Sequence, residues 1–89
     1  MNLSSAQIDQ NVPNPFNGNT IIRYYIPANV NSAAVRITDM NERQLKSFSI
    51  ALKGNGQLVV KANELSAGTY QYSLFVNGGL VDSKKMRIQ

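Results

Sequence analysis

The chain has 89 residues and a formal net charge of +4 at pH 7, and it contains neither cysteine nor histidine. A chain of this length forms one domain with a single small core. Without cysteine or histidine it has no disulfide bond, no thiolate metal site and none of the commonest general bases, so no catalytic residue, metal or cofactor is predicted.

The sequence has no recognisable targeting segment or membrane anchor. Its apolar stretches fall well short of the roughly 18 residues that span a bilayer. Residues 1–5 lack the basic region and apolar stretch of a secretory signal peptide. We therefore predict either a cytosolic protein or a fragment of a longer chain whose signal peptide lies upstream.

The N-terminal region is polar and leads into a segment rich in proline and asparagine. Residues 1–9 are predicted to be a linker, with a short edge strand around residues 6–11 as the alternative. Two closely spaced prolines exclude a regular element in the segment that follows. Because Phe16 stands among polar residues, we predict that it plugs one end of the core. This structural motif consists of Pro13, Asn14, Pro15 and Phe16.

Apolar and polar residues alternate with period two through the rest of the chain, which is typical of half-buried antiparallel strands. Glycine-rich turns are predicted at residues 54–56 and 77–79, and Gly78 and Gly79 are expected to supply the positive φ of a tight hairpin. The predicted strands cover residues 20–26, 33–39, 45–52, 57–61, 69–76 and 80–89.

The alternation also predicts which side chains point inward. In the last strand, Leu80, Met86 and Ile88 are expected to share the buried face, opposite Lys85 and Arg87. In the earlier strands the predicted inward residues are Ile22, Tyr24, Ile26, Ala33, Val35, Ile37, Phe48, Ile50, Leu52, Leu58, Val60, Tyr70, Tyr72, Leu74 and Val76.

Six strands, with the alternative edge strand at the start and no sustained helical period, predict an all-β fold. We expect an Ig-like antiparallel β-sandwich of about seven strands, as a single domain over residues 10–89. Gly68 and Tyr70 have the spacing of a tyrosine corner, in which a tyrosine hydroxyl bonds to upstream backbone. The alternative is that Tyr70 is an ordinary tyrosine at the edge of the core.

The charged residues suggest no site of their own. The nine basic residues are scattered along the sequence, which favours ordinary solvation over an acidic partner. The five carboxylates do not cluster as an acid–base pair or a calcium site would require. We therefore predict that the protein is not an enzyme.

Five segments of the chain together carry a family resemblance: Gln10 to Asn17, Thr20 to Tyr24, Val35 to Asp39, Leu65 to Tyr70 and Lys84 to Gln89. In this order they resemble the type A C-terminal sorting domain of type IX secretion cargo in Bacteroidetes. The resemblance covers about residues 9–89. One departure is Glu42, which follows Asn41 at a position where the family usually has glycine. Glutamate would strain a turn with positive φ.

This resemblance implies a domain at the end of a larger secreted protein, with a signal peptide on the missing N-terminal part. The domain would fold in the periplasm, and an outer-membrane translocon or shuttle would export the cargo to the cell surface or the extracellular space. A sortase-like cysteine protease would then cleave within residues 1–9. The residues predicted to be recognised are Gly68, Tyr70, Lys84, Lys85, Met86, Arg87, Ile88 and Gln89.

Two other functions stay open from the sequence. An Ig-like adhesion or carbohydrate-binding module would require a contiguous exposed aromatic patch, and Tyr25 and Phe75 are the candidate residues for it. A nucleic-acid-binding barrel would require a single basic face, although nucleic acid is not the predicted partner.

Overall fold

The computed structural model describes residues 6–51 and 53–89, and seven strands form within them. A short 3₁₀ helix at Ala62–Glu64 precedes the sixth strand. The strands are β1 (Gln7–Ile8), β2 (Asn19–Ile26), β3 (Ala33–Thr38), β4 (Gln44–Ser49), β5 (Gly54–Lys61), β6 (Gly68–Val76) and β7 (Gly79–Ile88).

The strands form two antiparallel sheets, which confirms the predicted all-β sandwich. The three-stranded sheet has the order β1-β2-β5, and the four-stranded sheet has the order β4-β3-β6-β7. In Ig constant-type domains the fourth strand joins the sheet of the first, second and fifth strands. Here β4 pairs with β3 instead, so the sandwich is Ig-like with a three-plus-four division of strands.

Part of the predicted linker belongs to the sheet. Gln7 and Ile8 pair with Tyr25 and Tyr24 of β2, and Ile8 is buried. This is the edge strand that the sequence offered as an alternative. Residues 1–5 of the predicted linker lie outside the described part of the chain. The domain boundary at residue 10 stays a prediction.

The core lies between the sheets and follows the predicted alternation. Leu52, which was also expected to point inward, lies outside the described residues. Tyr24, Phe48, Leu58 and Val76 are partly buried against the core. The buried apolar residues are Ile8, Phe16, Ile22, Ile26, Val30, Ala33, Val35, Ile37, Ile50, Val60, Ala62, Tyr70, Tyr72, Leu74, Met86 and Ile88.

The predicted turn at residues 54–56 is wrong, because these residues are the first part of β5. Gly54, Asn55 and Gly56 pair with the last three residues of β2. The ring of Tyr24 covers Gly56 so closely that an added Cβ would lie 2.6 Å from the ring carbon Cζ. Glycine is needed here to make room for an aromatic ring in the neighbouring strand.

The hairpin between β6 and β7 also differs from the prediction. Asn77 has a φ of 51° and Gly78 a φ of 84°, whereas Gly79 is already the first residue of β7. Asparagine followed by glycine is the preferred pair for a two-residue hairpin in which both φ angles are positive. The positive φ therefore falls one residue earlier than expected.

A bulge in β7 reverses the predicted direction of Leu80. Phe75 pairs with Leu80 and Leu74 with Asp82, so that Val81 is an extra residue in β7. One extra residue moves the preceding side chains to the opposite face of the sheet. Leu80 is consequently 61% exposed, and the prediction that it shares the buried face of Met86 and Ile88 is wrong.

The tyrosine corner is confirmed at the start of β6. The hydroxyl of Tyr70 donates a hydrogen bond of 2.6 Å to the carbonyl oxygen of Ser66. Gly68 has a φ of 150°, and an added Cβ there would meet nothing within 4 Å. Glycine is therefore required at this corner by the backbone conformation and not by lack of space.

The turn between β3 and β4 keeps its positive φ despite the glutamate. Glu42 has a φ of 67°. The Asp39 carboxylate accepts hydrogen bonds of 2.9 Å from the backbone amides of Asn41 and Arg43. The bond from Arg43 is the main reason that the pKa of Asp39 is lowered. These bonds fix the turn, and Glu42 bears the strain.

Tyr72 ties the four-stranded sheet to the N-terminal segment. Its ring is completely buried in the core. Its hydroxyl donates to the carbonyl oxygen of Asp9 at 2.7 Å and accepts from the amide of Asn11 at 2.8 Å. Burial raises the pKa of Tyr72 to about 12.

We expect Gly68→Ala to lower the free energy of unfolding by about 1–3 kcal/mol, because alanine strains a backbone with positive φ. Tyr70→Phe should cost about 0.5–1.5 kcal/mol through the lost hydrogen bond. Gly18→Ala is the control, since an added Cβ at Gly18 has open space around it. Urea melts measure all three. Equal losses for Gly68→Ala and Gly18→Ala would contradict the corner's need for glycine.

We expect Glu42→Gly to raise the free energy of unfolding by about 0.5–1 kcal/mol, because glycine relieves the strain of a left-handed conformation that costs about 1–2 kcal/mol. Glu42→Ala keeps that conformation and removes only the carboxylate, so it should give no such gain. Thermal melts of the two variants separate the causes. A gain from alanine as large as that from glycine would assign the effect to charge.

We expect stability to fall between pH 10 and pH 12 through Tyr72, by up to about 1.4 kcal/mol per pH unit. The folded state holds this proton more tightly than the unfolded state, so the contribution is complete below pH 10 and is lost as the pH rises. Urea melts over this range should show a steeper decline for the unmodified chain than for Tyr72→Phe. Tyr25→Phe, on the outer face of β2, is the control. Parallel curves for the unmodified chain and Tyr72→Phe would refute the assignment.

Candidate recognition site

The loop at residues 13–16 runs along the free edge of β7. Phe16 is only 2% exposed, which confirms that it plugs the core. Its amide donates to the carbonyl oxygen of Arg87 at 3.0 Å, and its own carbonyl oxygen accepts from the amide of Gln89 at 2.8 Å. The prolines of this loop follow two cis peptide bonds. Phe16 therefore acts as a short parallel partner of the last strand.

Side chains close the rest of this edge. Asn14 Oδ1 accepts from the amide of Arg87 at 2.9 Å, and Gln10 Nε2 donates to the carbonyl oxygen of Lys85 at 2.6 Å. The edge of β7 at residues 85–89 thus already has partners for these backbone groups. A further strand cannot pair there unless the loop moves away.

A buried asparagine holds the base of the loop. Asn11 is 1% exposed, and its Nδ2 donates to the Pro13 carbonyl oxygen and to Thr20 Oγ1, both at 3.0 Å. Thr20 Oγ1 in turn donates to the Pro13 carbonyl oxygen at 2.7 Å. Sequence reasoning did not single out Asn11, because an asparagine beside prolines looks like any other turn residue.

The predicted recognition residues fall into two groups. Met86 and Ile88 are buried between the sheets, and Gly68 and Tyr70 build the corner, so these four support the fold. The recognition role of the whole set stays a prediction. The structure brings several of them together around one open hollow of about 630 Å³, which is lined by Pro15, Ala67, Gly68, Arg87, Ile88 and Gln89.

The two adjacent lysines lie on opposite sides of the four-stranded sheet. Lys84 pairs in register with the buried Tyr72, and its Nζ lies 3.5 Å from Asp82 Oδ2. Lys85 pairs with Gln71 on the outer face and is exposed. Two consecutive residues of β7 are therefore an ion-paired lysine and a lysine that faces solvent.

Two more ion pairs take up basic residues elsewhere. Arg43 Nε lies 3.2 Å from Asp39 Oδ2 in the β3–β4 turn. Lys46 Nζ lies 2.8 Å from Glu64 Oε1, and this contact lowers the pKa of Glu64. The Lys46 side chain is 30% exposed and points toward Glu64 at the edge of the sandwich.

The outer face of the four-stranded sheet gathers three of the remaining basic residues. Arg36 of β3 and Lys85 and Arg87 of β7 all point outward and are exposed. The guanidinium carbon of Arg36 lies 4.3 Å from the centre of the Phe75 ring. We call Arg36, Phe75, Lys85 and Arg87 the basic face. The nine basic residues are scattered along the sequence, and the fold brings three of them onto one surface.

The two outward aromatic residues do not meet. Tyr25 of β2 lies beside Gln7 and Asn55 on the three-stranded sheet, whereas Phe75 of β6 lies on the four-stranded sheet. The contiguous patch that an adhesion or carbohydrate-binding module would require is therefore not formed by this pair.

Within residues 6–51 and 53–89, no three acidic, histidine or cysteine side chains lie close enough together to hold a metal ion. In the same part of the chain, no helix has the length and hydropathy to cross a bilayer.

Comparison with known proteins gives one family match. The family profile described as "Secretion system C-terminal sorting domain" matches residues 12–89. No curated protein matches the chain. One similar solved structure is the Pseudomonas fluorescens alkylpurine DNA glycosylase AlkC bound to DNA containing an abasic site analog, at 14% identity and a TM-score of 0.46. That alignment covers 97% of this chain but 31% of the other. A similarity this weak gives no information about the function of this chain.

The family match includes both the loop at residues 13–16 and the last strand, the two segments that the structure joins by hydrogen bonds. Members of this family are not enzymes as a class, and membership implies a cargo, contact with the type IX machinery, and export to the cell surface or the extracellular space. The chain belongs to the family of type IX secretion system C-terminal sorting domains.

Proposed function

We propose that this domain is the export signal at the end of a larger secreted protein, read in its folded form. The cargo carries an upstream signal peptide and reaches the periplasm by the general secretory route. An outer-membrane translocon or shuttle then binds the domain and moves the cargo outward. The domain itself has no catalytic activity and needs no cofactor.

The observation that carries this proposal is the joining of the two family segments into one unit. Phe16 bonds to Arg87 and Gln89 through the backbone, and Met86 and Ile88 anchor the same strand in the core. Because these contacts form only in the folded domain, a partner that reads the end of the chain reads a completed sandwich.

We further propose that a sortase-like cysteine protease cleaves before residue 6. Ile8 is 3% exposed, and the carbonyl oxygen of Asp9 accepts the hydrogen bond from buried Tyr72. A protease needs an extended, accessible backbone, which these residues do not offer. Cleavage upstream leaves the sandwich intact and frees the cargo for release or attachment at the surface.

A fusion experiment tests the export signal. We expect a periplasmic reporter followed by this domain to reach the surface of a type IX-competent cell, and the same reporter without the domain to stay inside. Met86→Ala/Ile88→Ala should abolish export and lower the melting temperature, because each large-to-small change in the core costs about 2–5 kcal/mol. Export is measured by protease accessibility of the reporter on whole cells.

The control for this experiment is Val59→Ala, an apolar residue that is 44% exposed on the three-stranded sheet. It should be exported like the unmodified fusion. Retention of the unmodified fusion in the periplasm, in cells that export a native cargo, would overturn the proposed function.

A further inference from the structure

We infer that the basic face is the surface through which this domain contacts the export machinery, and that the partner presents carboxylates to it. The inference rests on the proposed function and names the chemistry of its partner. It assigns recognition to Arg36, Lys85 and Arg87 and removes Lys84 from the predicted set.

The backbone of the last strand at residues 85–89 is not available to a partner strand. A peptide that added itself to β7 at residues 85–89 would need the backbone groups that Phe16, Asn14 and Gln10 already occupy. With the loop in place, a partner that binds residues 85–89 therefore contacts their side chains, and the outer face of the sheet is where the charged ones lie.

The face carries positive charge with no opposing carboxylate on its strands. Asp82 is the one acidic residue in β7, and it pairs in register with the inward Leu74 and in an ion pair with Lys84. The outward residues, taken along the cross-strand register, are Ser49, Ala34, Phe75 and Leu80; Ser47, Arg36, Ser73 and Ser83; Gln44, Thr38, Gln71 and Lys85; and Thr69 and Arg87.

The three charges are close enough to act together. Lys85 and Arg87 are two residues apart on one strand, so their Cα atoms are about 7 Å apart. Arg36 lies two strands away from Lys85 and is offset from it by two residues along the strands, so their Cα atoms are about 12 Å apart. Arg36 and Arg87 are farther apart, at about 17 Å. The two shorter separations are comparable with the Debye length of about 10 Å at 0.1 M salt, and a standard interface of about 800 Å² per partner is wide enough to cover all three charges.

The rest of the face favours a protein partner over nucleic acid. The Arg36 guanidinium rests on the Phe75 ring, and Leu80 beside it is 61% exposed. Arginine, aromatic and apolar residues together are typical of the centre of a protein–protein interface. A nucleic-acid site relies on more phosphate contacts, with about 6–10 in a typical complex, than three cations supply.

The test compares two triple variants that lose the same charge from different places. The face variant, Arg36→Gln/Lys85→Gln/Arg87→Gln, removes the three positive charges of the basic face. The ion-pair variant, Arg43→Gln/Lys46→Gln/Lys84→Gln, removes the three positive charges that are in ion pairs. Both are fused to the reporter and assayed for surface export, and both are melted as purified domains. We expect at least a tenfold loss of export for the face variant, with a folded domain, and near-normal export for the ion-pair variant.

A charge-conserving variant separates charge from shape. Arg36→Lys/Lys85→Arg/Arg87→Lys should retain export. If the triple face variant does not fold, Lys85→Gln/Arg87→Gln leaves the Arg36–Phe75 contact in place and gives the same comparison.

The outcomes distinguish this inference from the function on which it rests. Export of the folded face variant at the level of the unmodified fusion, or an equal loss in the ion-pair variant, overturns the inference and leaves the proposed function standing. Retention of the unmodified fusion overturns both. Binding of a fluorescent duplex DNA at 0.15 M salt that is lost in the face variant would reassign the face to nucleic acid, and so also overturns the inference.

Discussion

The domain depends on the backbone pairing between Phe16 and the end of β7. Two hydrogen bonds link residue 16 to Arg87 and Gln89, and the Phe16 ring fills the core beneath them. The last strand would otherwise be an open sheet edge, which invites pairing with other chains. A non-local contact that spans most of the chain thus both completes the core and closes the edge.

A second tie fixes the position of this loop. The hydroxyl of Tyr72 bonds to the backbone at Asp9 and Asn11, and the Asn11 side chain carries the contact on to Pro13 and Thr20. Tyr72, Asn11 and Thr20 are buried, and their polar side-chain groups have partners, so that their desolvation is compensated. The network makes the N-terminal segment part of the sandwich, and it explains why a short β1 survives at the edge of the three-stranded sheet.

The charge distribution follows from the same fold. The carboxylates just after β3, within β7 and in the 3₁₀ helix pair with Arg43, Lys84 and Lys46, so these bases are locally balanced. What remains on the outer face of the four-stranded sheet is positive. The net charge of a protein influences its solubility and its long-range attraction to other molecules. The placement of positive charge on one sheet face creates a surface that a partner can bind.

The sequence alone determined the fold class, most strand positions and most of the buried faces, and it indicated the family by resemblance, because period-two alternation, turn residues and short motifs are local properties. It left the tyrosine corner as one of two alternatives, which the bond from Tyr70 to Ser66 decided. It did not determine the strand character of Gly56, the outward turn of Leu80 or the buried role of Asn11. Each of these depends on a neighbour distant in sequence: the Tyr24 ring, the register against β6 and the Tyr72 hydroxyl. Only the tertiary structure separated Lys84 from Lys85 and brought Arg36 to the same face as Arg87, because cross-strand register decides which side chains become neighbours.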